Sequence, residues 1–102
     1  MHIVSCTHLE DCLNGSRWMR YDFDTPWDDA SVRSLDGIGA LEYFTDFPRP
    51  YFRLRGDAGS EVKGVLGTTT CRVLLPRHDG DAAQRAFEGL FSSITTPTHE
   101  GR

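Results

Sequence analysis

No stretch of this 102-residue chain approaches the roughly 20 consecutive apolar residues that a bilayer-spanning helix requires. The segment Met1 to His8 carries no basic n-region, and its apolar part is too short for the core of a signal peptide. A cytoplasmic location with no membrane partner is therefore expected. Cysteine is scarce: Cys6, Cys12 and Cys71 are odd in number and too few for the disulfide framework of a small secreted protein. They are expected to be reduced, with a local Cys6–Cys12 bridge open only in an oxidising setting. Repeats, low-complexity tracts and long internal linkers are also missing, which leaves a single folding unit over residues 1–94 and a disordered tail over 95–102. A chain of this length can bury one core without metal or disulfides.

What is present reads as an α+β domain. A short strand is expected at Ile3 to Cys6, then an irregular stretch from Thr7 to Ser16 ending in the Asn14-Gly15 turn signal. Arg17 to Phe23 alternates, with Met19, Tyr21 and Phe23 on one face and Arg20 and Asp22 on the other, the pattern of a half-buried strand. Thr25-Pro26-Trp27-Asp28 carries a cap, a proline suited to the first helical position and an answering acid, which predicts a short helix from Pro26 to Leu35. Two hairpins follow. Leu41–Thr45 and Tyr51–Arg55 flank a corner containing Pro48 and Pro50, and Glu61–Leu66 and Thr69–Leu75 flank Gly67-Thr68. The last element is a helix over Ala82–Ile94, with Ala83, Ala86, Phe87, Leu90, Phe91 and Ile94 on one stripe and Asp81 with Gln84 as its cap. The expected architecture is an antiparallel sheet of two consecutive hairpins plus one or two N-terminal strands. The terminal amphipathic helix covers one face and the short helix lies at its side.

Charge is distributed unevenly. Residues 49–77 hold six basic side chains (Arg49, Arg53, Arg55, Lys63, Arg72, Arg77) against two acids, whereas the rest of the chain holds five against thirteen, for a formal net charge of −4. Strand period two sends Phe52, Leu54, Val62, Leu66, Cys71, Val73 and Leu75 inward and leaves Tyr51, Arg53, Arg55, Lys63, Val65, Arg72 and Leu74 on the other face. Such a face can steer and hold an anionic small molecule or an acidic protein. It can also be an ordinary solvated face whose charges keep a sheet edge from pairing with other chains. The acidic total and the lack of a ribonucleoprotein aromatic motif argue against nucleic acid. In Phe47-Pro48-Arg49-Pro50-Tyr51, a stiffened loop presents Arg49 and Tyr51 to a partner or holds an aromatic corner on the core.

Cys6, His8 and Cys12, with Cys71 as a conceivable fourth donor, are the residue types of a zinc or thiol-redox site, but their spacing is unlike a zinc knuckle. Cys71 alternates in phase with Val73 and Leu75, as a buried thiol does. Catalysis is disfavoured: Cys6 and His8 have no identifiable orienting third group, and Gly64–Thr70 lacks the Gly-Lys-Ser/Thr ending of a phosphate loop. The function expected first is thus a non-catalytic binding or accessory module using Arg49, Tyr51, Arg53, Arg55, Lys63 and Arg72. The alternative is a metal-binding or thiol-redox protein using Cys6, His8 and Cys12, with zinc as its cofactor.

Overall fold

A computed structural model of the chain describes residues 1–56 and 59–94. The disorder expected of 95–102 lies outside them. Six antiparallel strands form one sheet: β1 (Ile3–Asp11), β2 (Arg17–Phe23), β3 (Ala40–Phe44), β4 (Tyr51–Arg55), β5 (Glu61–Val65) and β6 (Thr70–Leu75), in the spatial order β1-β2-β6-β5-β4-β3. Two helices, α1 (Asp29–Arg33) and α2 (Gly80–Ser93), complete the α+β fold. The expected meander is β3 to β6. The N-terminal hairpin extends it by setting β2 against β6, so that β1 and β3 are the edges. No helix among the described residues is long and apolar enough to cross a membrane.

β1 runs to Asp11 rather than stopping at Cys6. Its second half has no apolar alternation because an edge strand needs none: Val4 to Asp11 are exposed, and backbone pairing with β2 holds them, with irregularities between Ile3 and Ser5 and between His8 and Glu10.

The start of α1 also differs from expectation. Asp28, not Thr25, is the N-cap, and it forms a capping box with Ser31: the Ser31 amide donates to Asp28 Oδ1 at 2.8 Å and Ser31 Oγ accepts from the Asp28 amide at 2.9 Å. Trp27 cannot join the helix because both its backbone groups serve the β5–β6 turn. Its amide donates to the Thr68 carbonyl at 2.9 Å and its carbonyl accepts from the Gly67 amide at 2.9 Å. Its indole N–H donates to the Thr70 carbonyl at 3.1 Å. The turn, with Gly67 at φ 84°, is thereby stitched to the segment entering α1.

α2 and α1 cover the sheet face made by Tyr21, Phe23, Phe52, Val62, Val73 and Leu75. Of the stripe expected on α2, Phe87, Phe91 and Ile94 are buried, Ala83 and Leu90 pack at the margin, and Ala86 is exposed. Phe91 is the hub, with ring centroids 5.6 Å from Tyr21, 5.2 Å from Phe23, 6.2 Å from Trp27 and 6.3 Å from Phe87. The cap expected from Asp81 and Gln84 does not form. Asp79, in the left-handed region at φ 60°, precedes the helix without a side-chain cap bond, and Arg17 of β2 takes the expected pair: its Nη2 lies 3.0 Å from Asp81 Oδ1 and 3.4 Å from Gln84 Oε1. The Met1 amino group donates to the Ile94 carbonyl, joining the first residue to the end of α2.

Candidate functional site

One face of the sheet carries the helices; the other is open, as antiparallel sheets allow. Residues directly opposite one another in neighbouring strands share a face, so the register places Arg20 of β2, Arg72 of β6, Lys63 of β5 and Arg53 of β4 in one lateral row, closed at the β3 edge by Glu42. A second row lies two residues along each strand: Asp22, Thr70, Val65, Tyr51 and Phe44. The recess over these rows has a volume of about 550 Å³.

Like charges directly opposite each other are destabilising. Three of the four cations draw an acid from nearby. Arg53 Nε lies 2.8 Å from Glu42 Oε1, Lys63 Nζ lies 3.4 Å from Glu61 Oε2, and Arg20 Nε lies 3.5 Å from Asp22 Oδ2. Lys63 Nζ also sits 5.3 Å from the Trp18 ring centroid, a cation–π contact on the same face. Arg72, at the centre of the row and exposed, has no acidic partner among the described residues. At one end of the recess Phe44 and Tyr51 stack with centroids 4.6 Å apart and planes 22° apart, and Phe47 reaches Tyr51 at 5.4 Å.

Gly64, between Lys63 and Val65, lets the core rise against the back of the recess. A Cβ there would meet Phe52 Cε1 at 2.6 Å and Trp27 Nε1 at 3.4 Å. The edge of the Phe52 ring thus fills the space that a side chain at position 64 would need.

Of the expected binding residues, Tyr51, Arg53, Lys63 and Arg72 come together around the recess. Arg55 lies on the same face outside the recess, 3.8 Å from Glu42 Oε1, and Arg49 is exposed on the loop without lining it. Sequence reasoning missed Arg20, Phe44 and Thr70. Arg20 was visible as the polar partner of the alternation in β2, but only the β2–β6 pairing brings it to the other cations.

The thiols and imidazole are not gathered. Cys6 Sγ accepts from Gln84 Nε2 of α2 at 3.8 Å, His8 Nε2 is 2.9 Å from Asp11 Oδ1, and the Cys12 amide serves the hairpin turn through the Ser16 carbonyl at 2.8 Å. Among the described residues no group of three His, Cys, Asp or Glu side chains is placed to hold a metal ion. Cys71 is buried in the core, and that desolvation pushes its thiol pKa well above the ordinary value of 9.0. Burial, and then a 2.7 Å hydrogen bond from its hydroxyl to Glu88 Oε2, push Tyr21 well above its ordinary 10.0.

Both groups are acids whose folded pKa exceeds the unfolded one, so their contribution is fully present below the unfolded values. It is lost as pH rises through the window from there to the folded values. The melting temperature is expected to fall as pH climbs past about 9 and to fall further past about 10. Cys71→Ala is expected to remove the earlier part of the fall and Tyr21→Phe the later part. Native labelling with a thiol reagent at pH 8 is expected to reach Cys6 and spare Cys71; equal labelling of both would contradict the burial assigned to Cys71.

Comparison of the chain with protein families, with curated proteins and with solved structures finds no match.

Proposed function

We propose that the protein is a non-catalytic binding or accessory module whose open sheet face holds an anionic partner. The observation that carries this reading is the cationic row: four basic side chains set opposite one another across adjacent strands, with the central Arg72 lacking an acid among the described residues. An arrangement that costs stability when empty gains most from a bound anion, because the anion relieves the repulsion as well as pairing with Arg72.

Titration of isotopically labelled protein with pyrophosphate tests it. Shifts are expected in the amide signals of β2, β4, β5 and β6, and Arg72→Gln is expected to raise the pyrophosphate concentration needed to produce them about tenfold. The melting temperature of that variant is expected to stay nearly the same, since an exposed charge contributes only about 0–1 kcal/mol. Shifts confined to other elements, or none, would defeat the reading. Arg72 is a cleaner target than Arg53, because Arg53→Glu would set a new carboxylate against Glu42.

A further inference from the structure

Resting on that reading, we infer that the recess takes a small ligand with one planar aromatic ring and one compact anionic group, of the class of aryl phosphates and nucleoside monophosphates. The two rows set this division. Each strand from β4 to β6 contributes one residue to the cationic row and, two positions away, one to the second row: Arg53 with Tyr51, Lys63 with Val65, Arg72 with Thr70. Residues two apart on a strand are separated by about 7 Å. Tyr51 lies on β4 and Arg72 on β6, two strands or about 10 Å across, a gap that the long arginine side chain and a ring carrying its phosphate bridge together.

The Phe44–Tyr51 stack and Val65 offer apolar contact to a ring. The volume of about 550 Å³ falls among small-molecule sites.

The acids limit the charge of the ligand. Asp22, opposite Thr70 and beside Arg20, and Glu42, beside Arg53, stand at the two ends of the rows, so a phosphate chain long enough to run from β2 to β4 would meet a carboxylate at each end, whereas pyrophosphate is short enough to lie between them. Glu61 offsets Lys63 in the same way. A single anionic group centred on Arg72 fits between them. A polyanion does not.

Calorimetric titration of the full chain with inorganic phosphate, phenyl phosphate and a 20-nucleotide oligothymidylate tests the inference. Phenyl phosphate is expected to bind about tenfold or more tightly than inorganic phosphate, an advantage of about 1.4 kcal/mol for the ring. Tyr51→Ala is expected to erase that advantage while leaving inorganic phosphate unaffected, and Arg72→Gln to weaken both about tenfold. A thermal melt of each variant checks that it remains folded, and Tyr51→Leu, which keeps apolar bulk but no ring, serves as a second variant. Equal binding of the two phosphates, or tighter binding of the oligonucleotide per site, would overturn the inference while leaving the anion-binding face intact. Binding of none of the three, with no amide shifts from pyrophosphate, would remove both.

Discussion

Replacing Phe91 with alanine is expected to lower stability by about 3–5 kcal/mol, the range for deleting a large aromatic side chain from a core. Phe91 is fully buried and lies within ring-contact distance of Tyr21, Phe23, Trp27 and Phe87, which come from β2, from the segment before α1, and from α2 itself. Its removal would leave a cavity that rigid rings on three sides cannot close. Small domains have total stabilities of about 5–15 kcal/mol, so the variant is expected to melt far below the parent in a denaturant or calorimetric scan. Ala86→Ser, on the exposed side of the same helix, is expected to change stability by no more than about 0.5 kcal/mol. A small effect at Phe91 would mean that α2 does not close the core.

The second large effect is expected at Gly64. Substitution by valine places methyl groups where the edge of Phe52 already lies, since even a bare Cβ would approach that ring to 2.6 Å. Overpacking of this kind costs about 1–3 kcal/mol and forces neighbouring atoms to move. Phe52 cannot retreat freely, because its ring packs against Trp27 with centroids 4.7 Å apart. The displacement is therefore expected to pass into β5 and disturb Lys63 and Val65 on the opposite face. Gly64→Val should lower the melting temperature and also weaken pyrophosphate binding, although position 64 carries no charge. A destabilised variant with unchanged affinity would show that the recess is independent of the packing behind it.

Much of this was legible in the chain because it depends on local periodicity. The inward and outward phases of β4 to β6, the half-buried face of β2 and the buried Phe87 and Phe91 of α2 all follow from spacing alone. The failures share a cause: a partner distant in sequence claimed a group that local rules had assigned elsewhere. Thr25 and Pro26 carry a sound start signal, yet the β5–β6 turn occupies the Trp27 backbone and moves the cap to Asp28 and the helix start to Asp29. Asp81 and Gln84 have cap spacing, but Arg17 binds both. The candidate site was half legible for the same reason. A window of basic residues found Arg53, Lys63 and Arg72 and also took in Arg49, which lies outside the recess; it could not find Arg20, which joins them only through the long-range register.

The place where β2 meets β6 has a consequence for how the molecule is assembled. Arg20 belongs to the hairpin made by the start of the chain and Arg72 to the meander made later, and the two segments touch along this one pair of strands within the sheet. The recess therefore spans a seam, and neither segment alone carries the whole cationic row. Two guanidinium groups facing each other across that seam oppose its closure, so added salt should speed the docking of hairpin on meander by screening them. An anion held between Arg20 and Arg72 would act as a clasp across the seam, tying the first hairpin to the meander and raising the stability of the whole sheet with the logarithm of the free anion concentration above its dissociation constant.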